Sequence, residues 1–212
     1  MTSQEFSIEF DILYNNISSN QAPGLTEYEK SVFLTQAQEA LVLDLYKGTA
    51  GDSFETTEEV TRYLSSLVIT KSDLKVGTED DNYYVDLSSI NDIWFITYQS
   101  ASINYNNGRD VLVVPAKQDS LYKDLQNPFR GPNHNRILSL SEGNRITLYS
   151  KYPINSFYFK YLKRLTPIIL ENLSDGLTIE NKSNQADCLL PESLHKQILL
   201  RAVQMAKAVW QS

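Results

Sequence analysis

Cysteine occurs once in 212 residues, at Cys188, so no internal disulfide is possible and every multi-cysteine metal pattern is excluded. A reducing compartment suits such a chain. Histidine occurs twice, at His134 and His195, neither followed three or four residues later by a second ligand type, which makes metal binding a weak reading. Basic residues are also short: 19 against 26 acidic ones give a formal charge of -7, so indiscriminate attraction to nucleic acid or to an anionic membrane is not expected. Long apolar runs are missing. "VLVV" at 111–114 is among the longest, and the first basic residue is Lys30, which argues against a spanning helix and a conventional signal peptide. No internal repeat or low-complexity segment is visible.

What is present is a chain that can fold. With 42% hydrophobic residues it can bury a substantial core, as one domain or as a domain carrying an insertion. Thirteen tyrosines are many for this length. They suit either a tyrosine-rich β core or a protein interface, where an apolar ring and a polar tip both find use.

The spacing of Phe6, Phe10, Leu13, Tyr14 and Ile17 predicts a first helix, with Thr2 and Glu5 in capping-box register. "SSNQAPGL" follows, and Asn20, Gln21, Pro23 and Gly24 form a structural turn, with proline then glycine at the centre of a type II conformation. Thr26 and Glu29 repeat the capping box. A second helix is predicted from Glu27 to Lys47, burying Val32 or Phe33, Ala37, Leu41 and Leu45, and ended by Gly48. Thr56 or Thr57 would cap a third helix reaching about Leu67, with Val60, Tyr63, Leu64 and Leu67 inward.

The period then changes. "IWFITY", "DVLVVP", "RILSL", "RITLYS" and "SFYFKYLKR" are β-branched and aromatic, with "SLSEGNRI" and "SKYPINS" as hairpin turns and a short helix before Pro128. From Asp187 the helical period returns, with Leu194, Ile198, Ala202, Met205 and Val209 in one stripe after Pro191. The sum is an α+β fold. A helical bundle is formed from both termini, residues 1–75 and 187–212, with an inserted, mostly antiparallel β unit at 83–175 that carries one short helix.

The chemistry available is thin. Cys188 and His195 lie seven positions apart with a proline between them, a spacing that gives no reason to expect a nucleophile pair. "GTAGDSF" lacks the lysine and preceding strand of a phosphate loop. "FKYLKR" mixes cations and aromatics as a nucleic-acid surface would, but in a strand Lys160, Leu162 and Arg164 share one face, as on a solvated or subunit-facing strand. No catalytic residue, metal site or cofactor is assigned. "NPFRGPN" is the most distinctive loop: two prolines and a glycine fix the backbone around Phe129 and Arg130, the arrangement that binding anchors favour. Asn127, Pro128, Phe129, Arg130, Gly131 and Pro132 are therefore subunit-interface candidates; the alternative is a tight loop whose Phe129 packs into its own β unit.

Four blocks in order carry a resemblance: "FDILYNNISSNQAPGLTEYEKSVFLTQAQEALV", "NPFRGPN", "SKYPINSFYFKYLKRLTPIIL" and "CLLPESLHKQILLRAVQMAKAVW". Together they resemble a virion structural protein family of crAss-like gut bacteriophages. The resemblance implies a non-enzymatic ring protein in the neck of a short-tailed virion, made in the host bacterial cytoplasm and placed below the portal around the DNA channel. Its implied partners are itself, as a closed dodecamer, the portal protein, and other neck or tail ring proteins. DNA would pass without specific binding, and no membrane is involved. The alternatives are a capsid-carried or accessory virion protein and a small hydrolase using Cys188, His195 or scattered carboxylates.

Overall fold

Two capping boxes start the first two helices. In α1, Ser3–Asn15, the Glu5 carboxylate accepts from the Thr2 N–H at 2.8 Å and the Thr2 hydroxyl accepts from the Glu5 N–H. In α2, Glu27–Lys47, Thr26 and Glu29 do the same, and Gly48 ends the helix in the left-handed region at φ 68°. The computed structural model describes residues 1–15, 24–48, 58–79, 82–105, 108–174 and 176–210. They divide into two units, Met1–Ser66 with Leu165–Ser212, and Leu67–Arg164.

The first unit draws on both ends of the chain. It holds α1, α2, α3 (Glu58–Leu64) and α5 (Glu192–Trp210). Phe6, Phe10 and Tyr14 form the buried face of α1, as the spacing predicts, while Leu13 at its edge is only half-buried; Ile17, Thr56 and Thr57 lie outside the described residues. On α5 the buried face is broader than the predicted stripe and turned from it: Leu194, His195, Ile198, Leu199, Ala202, Val203 and Ala206 are buried, Met205 is half-buried and Val209 is exposed. That face meets two helices. The Lys207 ammonium donates to the Leu13 carbonyl, so a side chain of α5 satisfies the end of α1, and Arg201 pairs with Asp44 of α2.

The face of α2 also differs from expectation. Ala37 and Leu41 are buried as predicted, but Val32, Phe33 and Leu45 are only half-buried, while the polar Lys30, Ser31, Thr35 and Gln38 are buried. The reason is an extended segment, residues 165–170, lying along that face. Gln38 Nε2 donates to the Thr166 carbonyl at 3.0 Å, Thr35 Oγ1 both donates to the Ile168 carbonyl and accepts from its N–H, and Ser31 Oγ accepts from the Leu170 N–H. Four residues of helix rise about 6 Å and two extended residues about 6.6 Å, so side chains at one-turn intervals can match alternate peptides. On its other edge the segment pairs with Ala186 through Ile169. Hydrophobic periodicity does not report a helix face used in this way.

The second unit is an eight-stranded sheet: β1 Val68–Leu74, β2 Gly77–Glu79, β3 Asn82–Asp86, β4 Ile93–Ile103, β5 Arg109–Pro115, β6 Arg136–Glu142, β7 Arg145–Tyr149 and β8 Ile154–Lys163. Its order is β1-β8-β4-β5-β6-β7-β3-β2. All pairs are antiparallel except β5 with β6, whose long connection carries the six-residue helix α4, Leu121–Gln126. β1 and β2 are the two edges of this order, yet only Lys75 and Val76 join them. In a flat sheet those edges would stand roughly 34 Å apart at about 4.8 Å per strand, far beyond a two-residue connection, so the sheet is curled. Three register shifts along the β4–β8 pair supply the bending that curling needs.

Inside the curl lies one apolar cluster, including Val85, Ile103, Val113, Ile137, Leu148, Phe157 and Phe159. Alternation is clean on β5, where Val111 and Val113 are buried and Leu112 is 51% exposed. "SLSEGNRI" forms the expected hairpin, with Gly143 at φ 61° first in a two-residue loop. "SKYPINS" does not. It leads from β7 to β8, which are not neighbours, because the curl brings distant strands within reach of four residues.

Candidate assembly interface

The loop from Asn127 to Pro132 follows α4 and leads to β6, and its backbone is held almost entirely by itself. The Asn127 side-chain oxygen accepts from the Phe129 N–H at 2.8 Å and the Arg130 N–H at 3.3 Å, while its backbone carbonyl accepts from the Gly131 N–H at 2.7 Å. Gly131 is required by space: a Cβ there would stand 2.8 Å from the Asn127 carbonyl oxygen. Pro128 precedes the turn, and Gly131 and Pro132 are buried as its foot. From the other side the Arg136 guanidinium donates to the carbonyls of Phe129 and Arg130.

This fixed backbone holds its two largest side chains in solvent. Phe129 is 87% exposed, so it does not pack into its own β unit. Arg130 is also exposed, and its nearest carboxylate, Asp124, lies 3.9 Å away. A pair that open and that long contributes little. An exposed phenyl ring on a stiff loop has already lost most of the freedom that binding would take away, which makes it a favourable anchor. Tyr122, on α4 in the same connection, is 72% exposed and was not singled out from the sequence. Its only signal was position on a short polar helix.

The predicted structural turn lies mostly elsewhere. Asn20, Gln21 and Pro23 are outside the described residues; at Gly24 a Cβ would meet nothing within 4 Å. The tyrosines divide between core and surface. Tyr161 is in the core, donating to Asp92 at 3.0 Å, whereas Tyr98 packs edge-on to Tyr158 and remains exposed.

The reactive side chains are engaged separately. The Cys188 thiol donates to Gln38 Oε1 at 3.2 Å, and burial pushes its pKa up to about 11, which suppresses the thiolate. Both ring nitrogens of His195 are occupied: Nδ1 accepts from the Met1 amino group at 2.9 Å and Nε2 donates to the Leu190 carbonyl at 2.8 Å. They do not form a nucleophile pair. His134 is exposed and its ring lies against Tyr105. Among the described residues no cluster of His, Cys, Asp or Glu is placed to hold a metal, and no helix is long and apolar enough to cross a membrane.

A family model described as phage tail ring protein 3/4 matches residues 1–212. The chain is 42% identical over 220 residues to Ring protein 3 of Bacteroides phage crAss001, spanning 97% of this chain and 95% of that one. Ring protein 4/5 of the same phage is 32% identical over 229 residues, spanning 100% and 94%.

Proposed function

The chain belongs to the phage tail ring protein 3/4 family, and from that premise we propose that its copies close into a ring in the head-to-tail connector of a short-tailed virion, below the portal and around the DNA channel. The observation that carries this reading is the nearly end-to-end 42% identity to a protein named Ring protein 3. In this reading α1, α2 and α5 form a helical bundle from both termini, and the loop 127–132 supplies anchors between subunits. A dodecamer would match the portal. The portal and the other neck or tail rings are its partners, and the charge of -7 favours walls that DNA passes without being held, an effect confined to about 8 Å by physiological salt. Catalysis has no part in this reading.

Electron microscopy and light scattering of the purified full-length chain test the assembly. Closed rings with a central opening are expected; a monomer at every concentration, together with no ring of this chain in the virion, contradicts it. Cross-linking of intact particles tests the location, with contacts to the portal or an adjacent ring expected and contacts only to interior capsid proteins opposing it.

A further inference from the structure

We propose that the loop of one copy docks at the far end of the β unit of the next, with Phe129 entering a cavity beside Trp94 and Arg130 pairing with Glu142. This deepens the ring reading and rests on it. The cavity, about 460 Å³, has a mixed lining that includes the apolar Ile90, Ile93, Trp94 and Phe95 and the polar Ser141 and Asn144. That is roomy enough for a phenyl ring. Its position follows from the strand order. The loop lies just before Arg136, the first residue of β6, whereas the cavity is bounded by the hairpin that ends β6. Seven residues of strand separate them, roughly 20 Å. β4 runs antiparallel to β5 and β5 parallel to β6, so the start of β4, Ile93 to Phe95, falls at the hairpin end. Consistently, Tyr105 beyond the finish of β4 meets His134 at the loop end.

Projection and cavity therefore lie at opposite ends of one body, and a copy cannot fill its own cavity. Successive copies can, by a head-to-tail contact that repeats and closes when its rotation divides the circle. Charge points to the same pairing. Glu142 sits between the lining residues Ser141 and Gly143, is exposed, accepts from the Thr147 hydroxyl at 3.1 Å, and makes no ion pair among the described residues. Among the described residues Arg130 has only the distant Asp124. Each is an under-used charge of opposite sign beside its half of the contact, and neither carries the fold, so both can be reversed without unfolding it.

The test is a charge swap in the full-length chain. Arg130→Glu and Glu142→Arg alone should each lower the yield of rings about tenfold with unchanged melting temperature, and the two together should restore it. Failure of the double variant to recover, while the native chain forms rings, overturns this docking and leaves the ring reading standing. A native chain that forms no rings overturns that reading itself. As a second measure, Phe129→Cys with Ser141→Cys in a Cys188→Ser background should give an oxidation-dependent ladder of oligomers. Each single-cysteine chain should remain uncrosslinked alone and form a mixed dimer with the other. Dimers of Phe129→Cys by itself would mean a symmetric contact and contradict the proposal.

Discussion

The two units bury polar groups in different ways. In the β unit the interior is nearly all apolar, with Gln99 and Ser139 its only buried polar residues in the described chain, because each strand satisfies the next through backbone ladders. In the helical unit Ser3, Lys30, Ser31, Thr35, Gln38 and His195 are all buried. Helices satisfy their own peptides and offer nothing to a strand laid beside them, so Ser31, Thr35 and Gln38 stand in for the missing ladder. Lys30 has a related task. Burial would lower its pKa, but hydrogen bonds to Asp11 at 2.6 Å and Glu27 at 2.8 Å outweigh that and raise it, so a buried charge ties α1 to α2. The apolar interior tolerates exchanges that conserve volume, while the polar seam admits one register between segments far apart in sequence.

This contrast can be broken most severely by removing residues 187–212. Leu190, Leu194, Ile198, Leu199 and Val203 would lose their burial at about 1.5–3 kcal/mol each, which matches or exceeds a typical domain's whole stability. The expected product has no helical unit, seen as lost helical circular dichroism; a sharp native-like melt would contradict the account. Next in size, Phe159→Ala in the β interior should cost about 3–5 kcal/mol in denaturant unfolding. Smaller, and sharper as a comparison, is the pair Thr35→Val and Ser139→Ala. The first keeps shape but strips both partners from Ile168, and should cost about 1–3 kcal/mol. The second removes a buried hydroxyl with no partner among the described residues, and should change stability little. Equal costs would erase the distinction between the units.

Much of this was legible because local rules decided it. Both capping boxes, Gly48, the Gly143 hairpin and the bounds of α2 follow from residues within one turn of each other. The polar face of α2 was hidden because its partner lies 128 to 139 residues away, and a period of apolar residues cannot report hydrogen bonds to a distant segment. β1, with only Val68, Ile69 and Leu74 apolar, and the three-residue β2 are too weakly patterned to announce themselves, and they are the strands at which the curled sheet's edges meet. At the loop, Pro128, Gly131 and Pro132 disclosed rigidity, but whether Phe129 pointed in or out depended on the fold. The cavity was invisible, since its lining comes from two separated stretches, 87–96 and 141–146.

An effect silent at neutral pH separates the units again. Folding raises the Cys188 pKa from 9.0 to about 11, so its contribution is fully present below pH 9 and is lost as pH rises toward and through 11. In the β unit Tyr161 behaves alike between 10.0 and about 12, chiefly through burial and then its bond to Asp92. Alkaline unfolding followed by helical circular dichroism should therefore begin at lower pH than the ionisation of Tyr161, read as the absorbance difference between the native and Tyr161→Phe chains. The reverse order would contradict these assignments.

The smallest expected effect on stability belongs to the loop, and it carries the central claim. In the Phe129→Ala, Arg130→Ala chain both truncated side chains are exposed, so melting should shift by no more than about 0.5 kcal/mol in equivalent stability. Ring formation should fail, because every interface of the ring carries the same defect, about 2 kcal/mol or more for a central anchor. Measured on one preparation, an unchanged melt with lost rings is the predicted result; rings that form as in the native chain would contradict it.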